Sequence, residues 1–114
     1  MDGKPFSDDW IPLGVGTLLP GELKEATVCG RDLVIWRTAS GTPCVMEARC
    51  PHQWSHLASE GAVDGEEIVC LAHFWRFDIE GKGWKENVKK RRDKKGDIEV
   101  YSCGEEGGDI WVKL

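Results

Sequence analysis

A chain of 114 residues with 40% hydrophobic and 31% charged side chains and a formal net charge of −5 has the make-up of one domain with a modest core. No apolar run approaches the ~20 residues of a membrane span. Met1-Asp2-Gly3-Lys4-Pro5 offers no apolar stretch for a secretory leader. The expectation is a soluble cytoplasmic protein without a membrane partner.

The elements in chain order are short and extended. Trp10 to Leu19 begins extended and is broken by Pro12, Gly14 and Gly16. Thr27-Val28-Cys29 and Leu33-Val34-Ile35-Trp36 flank Gly30-Arg31-Asp32 and predict a hairpin. Ser40-Gly41-Thr42-Pro43 turns the chain into Cys44-Val45-Met46-Glu47-Ala48, a strand that Cys50 closes. Asp64-Gly65 is a tight-turn pair, and Ile68-Val69 predicts a strand ending at Cys70. A last hairpin pairs Ile98-Glu99-Val100-Tyr101 with Ile110-Trp111-Val112 across Gly104, Gly107 and Gly108. No amphipathic helix and no internal repeat is evident. The fold class is all-β, an antiparallel barrel or sandwich, as one domain over 1–114. The six tryptophans read as core and rim fillers of a small β-fold.

Four residues carry the chemistry: Cys50, His52, Cys70 and His73. They form Cys50-Pro51-His52 and Cys70-Leu71-Ala72-His73, with seventeen residues between His52 and Cys70. Each segment offers sulfur first and nitrogen second. Side by side, they place two sulfurs at one end and two nitrogens at the other. A dinuclear cluster suits that split, with one iron on the cysteines and one on the histidines. Pro51 fixes its own φ and stiffens the first loop.

The pattern resembles the Rieske [2Fe–2S] family, whose signature is Cys-x-His followed some sixteen or seventeen residues later by Cys-x-x-His. Arg49-Cys50-Pro51-His52 and Leu57 are similar to the first cluster loop. Glu60 to Val69 is similar to the hairpin before the second, and Trp75-Arg76-Phe77-Asp78 follows His73 as in the Rieske domains of ring-hydroxylating oxygenases and their ferredoxins. The resemblance spans roughly residues 10–112. It implies a [2Fe–2S] cofactor held by Cys50, His52, Cys70 and His73, and a β base carrying a small cluster-binding lobe at about 49–78. It also implies that the histidines sit near the lobe's tip, where an electron can leave to a partner.

Two departures matter. The resemblance places glycines where Trp54 and Phe74 stand; these aromatics can pack between the loops, shield the cluster or form a docking surface. High-potential family members carry a serine and a tyrosine where Trp75 and Phe77 stand, and a disulfide at the positions of Ser55 and Ala72. Without those hydroxyls and that brace, the expected potential lies at the low end of the Rieske range, on the order of −150 mV. His56 reads as a loop or surface residue. Cys29, Cys44 and Cys103, an odd number, read as reduced, small buried hydrophobes in a cytosolic setting.

Lys82–Lys95 holds eight basic residues against Glu86 and Asp93, a local +6, while the remainder carries −11. Such a run reads as a solvated strand or hairpin loop, with docking of an acidic redox partner as the functional option. The acidic body opposes nucleic-acid binding, and no recognition motif accompanies the run.

The leading functional reading is a one-electron carrier, not itself an enzyme, between a flavin reductase and a terminal oxygenase. The alternative is the Rieske domain or subunit of a ring-hydroxylating oxygenase. A facial-triad iron needs two histidines and a carboxylate, and only His56 is left over. A structural Cys2His2 zinc site is the third reading.

Overall fold

The computed structural model describes residues 9–51 and 54–114. Its strands are β1 (Ile11–Pro12), β2 (Leu23–Val28), β3 (Arg31–Arg37), β4 (Pro43–Glu47), β5 (Gly61–Asp64), β6 (Glu67–Cys70), β7 (Trp75–Phe77), β8 (Gly83–Glu86), β9 (Arg92–Lys95), β10 (Val100–Glu106) and β11 (Asp109–Lys113). One helical turn, α1 (Leu57–Glu60), precedes β5. The strands form two antiparallel sheets. The base has the order β1-β11-β10-β4-β3-β2, and a second sheet has the order β5-β6-β7-β8-β9. The fold is nearly all β, as the sequence predicts.

The unbroken apolar run of β3 has a physical reason: both faces of that strand are covered. Side chains alternate across a strand. Leu33 and Ile35 join Leu18, Val45, Tyr101, Ile110 and Val112 in one core, on one face of the base sheet. Val34 and Trp36 join Cys44, Met46, Leu57, Ile68, Phe77 and Ile98 in the other, between the two sheets. The Cys29-Gly30 turn joins β2 to β3 with positive φ at both residues, as a two-residue hairpin turn demands. Cys29 is therefore exposed, which corrects its reading as a buried hydrophobe; Cys44 is buried as expected and Cys103 partly so.

The last hairpin pairs differently from the expectation. Gly104 lies within β10, opposite Trp111, and Gly107-Gly108 makes the turn. Val100 and Tyr101 pair instead with Met46 and Val45 of β4. One long strand thus serves two neighbours. The basic run forms β8, β9 and the hairpin turn between them, in line with its reading as a solvated strand or hairpin loop, with β9 at the sheet edge. Charged side chains on an edge strand discourage pairing with another chain.

Gly83 permits the close crossing of Gly96, whose carbonyl oxygen would lie 2.1 Å from a Cβ at that position. The obstacle is backbone and cannot swing aside. Gly83→Ala is therefore expected to lower stability by about 1–3 kcal/mol, read as a reduced denaturant midpoint with an unchanged m-value. A midpoint equal to the parent's would contradict this crossing.

Candidate metal centre

Two loops of matching construction carry the predicted ligands. In the first, Arg49 bridges His56, the Cys50 amide donates to the Ser55 carbonyl at 2.9 Å, and the Trp54 amide donates to the Cys50 carbonyl at 2.8 Å. In the second, Val69 pairs with Arg76, and the Phe74 amide donates to the Cys70 carbonyl at 2.7 Å. Each loop is thus flanked by residues seven apart, has cysteine as its first residue, and closes with a bond between that cysteine and the residue four on.

The closing residue has positive φ in both loops, 61° at Trp54 and 63° at Phe74. That region costs a residue with a side chain about 1–2 kcal/mol, which explains why the resemblance places glycine at both positions. The two rings are 69% and 57% exposed. They lie on the surface rather than packed between the loops.

Cys50 and Cys70 are each 1% exposed and belong to the core between the sheets. His73 is half-buried. His52 lies outside the described residues. Among the described residues, no group of three or more His, Cys, Asp or Glu side chains converges at single-ion range. Donors divided between two irons need not meet at one point. The donor set described, two buried thiols at the feet of twin loops with His73 half-buried in the second, would suit a dinuclear centre with a sulfur end and a nitrogen end.

Neighbouring side chains brace the loops. His56 is engaged at both ring nitrogens: Nδ1 accepts the Ala58 amide at 3.1 Å, and Nε2 lies 3.3 Å from Glu25 of β2. It caps α1 and ties the first loop to the base, so it is a structural residue. Its N-cap role is the signal that sequence reasoning missed, because imidazole is an uncommon cap. Phe77 is fully buried, and Trp75 is half-buried on β7.

Below the second loop, Arg76 of β7 donates Nε to Glu67 at 2.7 Å and Nη2 to Asp64 at 2.7 Å, while Arg92 reaches Glu67 from β9 at 2.5 Å. Burial pushes the Glu67 carboxyl up, but Arg76 and Arg92 more than reverse this and hold it below its usual range. Arg76 likewise holds Asp64 low. Burial pushes the Cys44 thiol up to about 12, which keeps it protonated and unreactive.

Because Glu67 and Asp64 are depressed on folding, their contribution to stability is present above the ordinary carboxylate range. It is lost as pH falls through their lowered folded values. Arg76→Met should cost about 1–3 kcal/mol at pH 7 by leaving Glu67 half-buried with one partner fewer, and should flatten the acid limb of a stability–pH curve. Parallel curves for variant and parent would contradict the network.

Comparison with known proteins agrees with this geometry. Residues 9–102 match the Rieske [2Fe-2S] domain family. Cholesterol 7-desaturase nvd 1 of Ciona intestinalis is 36% identical over 78 residues, covering 68% of this chain and 17% of the relative. Oxidoreductase NdmD of Pseudomonas putida is 31% identical over 112 residues, covering 94% of this chain and 19% of the relative. A chain in the reduced complex between oxygenase and ferredoxin of carbazole 1,9a-dioxygenase superposes with a TM-score of 0.72 at 21% identity. That match covers 92% of this chain and 28% of the other. The chain thus spans about a fifth of the length of the curated relatives named.

Proposed function

The chain belongs to the Rieske [2Fe–2S] domain family, and on that premise we propose that it is a one-electron carrier passing electrons from a reductase to an oxygenase. Its cofactor is a [2Fe–2S] cluster, and the Rieske domain is an electron-transfer module. The observation that carries the reading is the pair of matched loops, each rooted in a buried cysteine.

In this proposal Cys50 and Cys70 hold one iron and His52 and His73 the other. Bound there, the cluster supplies reversible uptake of one electron. The protein's own residues do the rest. The apolar core around Cys50 and Cys70 keeps water from the sulfur side. The Arg49–His56 bridge and the β6–β7 ladder fix the loop feet, so little reorganisation accompanies a change of charge. His73, half-buried, gives the electron a route outward. Redox partner proteins are the expected class of partner. Among the described residues no helix is long and apolar enough to cross a membrane, and a cytosolic setting is part of the proposal.

A second reading is favoured by one specific observation. The relatives include oxygenase components, such as the 3-chlorobenzoate-3,4-dioxygenase oxygenase subunit of Comamonas testosteroni, and the chain spans only a quarter of that relative. Under this reading the chain is the Rieske portion of an oxygenase. A carrier reoxidises at a rate proportional to the concentration of added oxygenase, whereas a detached domain shows no such second-order dependence.

Trp75 and Phe77 offer no hydroxyl to sulfur, so the expected midpoint potential is on the order of −150 mV. Redox titration followed by EPR measures it. A value above about +100 mV would contradict the assignment of these positions.

A further inference from the structure

Strand registers place three loops at one end of the second sheet. Gly61 pairs with Cys70, Trp75 with Lys85, and Glu86 with Arg92. The α1–β5 junction, the Cys70–Phe74 loop and the β8–β9 turn at 87–91 therefore project from the same edge. The turns at 65–66 and 78–82 project from the opposite edge. Adjacent strands lie about 5 Å apart, so the 87–91 turn, which joins β8 to β9, stands roughly 5–10 Å along that edge from the start of β7.

This edge has two kinds of surface. Leu71 and Phe74, in the Cys70–Phe74 loop, are 51% and 57% exposed, and Val88 at the hairpin tip is 97% exposed. Around Val88 the turn is held in shape. Asn87 Oδ1 accepts the amides of Lys89 and Arg91 at 2.9 and 3.0 Å, and the Lys90 amide donates to the Asn87 carbonyl at 2.9 Å. Part of the basic run is already spent on the fold: Arg92 bonds Glu67, and Lys94 bonds Asp97. Lys85, Lys89 and Arg91 are exposed with no ion pair among the described residues, and Lys90 reaches only Glu86 at 3.7 Å. Lys85, Lys89, Lys90 and Arg91 therefore gather toward the cluster end, while Lys82 and Lys95 lie toward the opposite one.

We propose that the β8–β9 hairpin tip and the exposed cluster-loop side chains form one docking edge for a redox protein whose own face carries Asp and Glu around an apolar centre. Charge complementarity selects this occupant. A basic rim beside an apolar centre fits an acidic rim around one, the usual anatomy of a protein interface. The −11 carried by the rest of the chain repels an extended polyanion such as nucleic acid or an anionic membrane, whereas a protein rim meets only the edge. Leu71 and Phe74, exposed in the Cys70–Phe74 loop, supply the apolar contact. The transfer moves one electron, oxidising the partner's metal or flavin and reducing the cluster, with no bond made or broken. The proposal rests on the electron-carrier reading.

The test uses the cluster-loaded protein and, as probe, a reduced plant-type [2Fe–2S] ferredoxin, which is acidic. Visible absorption and its bleaching by dithionite are recorded first. Their absence contradicts the carrier reading itself; with bleaching present, the transfer rates bear on docking alone. Both proteins carry net negative charge. Net-charge repulsion would make the stopped-flow rate rise with salt, whereas docking on the hairpin makes it fall. The expected result is a falling rate. Combined Lys89→Glu, Lys90→Glu and Arg91→Glu should slow it at least tenfold at low salt, reverse the salt slope, and weaken calorimetric binding of oxidised ferredoxin. Phe74→Gly should slow it several-fold at all salt concentrations while thermal stability stays equal or rises. Lys82→Glu, at the opposite edge, should leave rate and affinity unchanged. Rates, affinity and salt slope that ignore the hairpin charges overturn the proposal. So does hairpin-dependent sedimentation with phosphatidylserine vesicles alongside unaltered ferredoxin kinetics, which would assign the hairpin to a membrane surface.

Discussion

Two backbone hydrogen bonds, Trp54 N–H to the Cys50 carbonyl and Phe74 N–H to the Cys70 carbonyl, set the constraint on which the rest of the structure depends. Each folds a cysteine-led loop back on itself and leaves the thiol at its foot, inside the core between the sheets. The chain cannot bring four donors together from one strand, because alternate side chains point to opposite faces. In the proposed centre, two loops of equal span would supply them, one leaving the base and one within the second sheet. The requirement is severe enough to hold Trp54 and Phe74 in a backbone region that disfavours side chains.

The two sheets divide the work. The base is buried on both faces of β3 and β4, and its stability rests on apolar burial. The second sheet is smaller and is tied by ion pairs across its strands, with Arg76 and Arg92 converging on Glu67. Such a partly buried network is satisfied only when every member is present. That links the charge state of the second sheet to its order, and through β6 and β7 to the loop that carries Cys70 and His73. A metal crosslink between the two loops would join the halves further, since binding energy released only in the folded arrangement is folding energy.

The sequence was legible where chemistry or periodicity is local. The sulfur-then-nitrogen order of Cys50, His52, Cys70 and His73 needed no structure to suggest a split centre, and the β2–β3 hairpin followed from apolar runs around a glycine turn. Other features depend on distant partners. Nothing near Val100 announces that it pairs with Met46 rather than across the terminal hairpin. β9 reads Arg-Asp-Lys-Lys, a pattern that becomes a strand only because β8 lies beside it, so tertiary pairing overrides weak local propensity. α1 is a single turn, too short for any amphipathic period. Trp54 and Phe74 were visible as departures from a glycine pattern. Their exposure came from the structure, and the nearness of the basic turn to Phe74 came from register.

Nitrogen ligation is the heart of the account, because it separates a Rieske centre from an all-cysteine cluster and from zinc. The most direct measurement is pulsed EPR of the dithionite-reduced protein with its histidines labelled by nitrogen-15. The account predicts strong coupling to two imidazole nitrogens, with one coupling lost in His73→Cys. A spectrum without strong histidine nitrogen coupling, or with couplings untouched by His73→Cys, would contradict it.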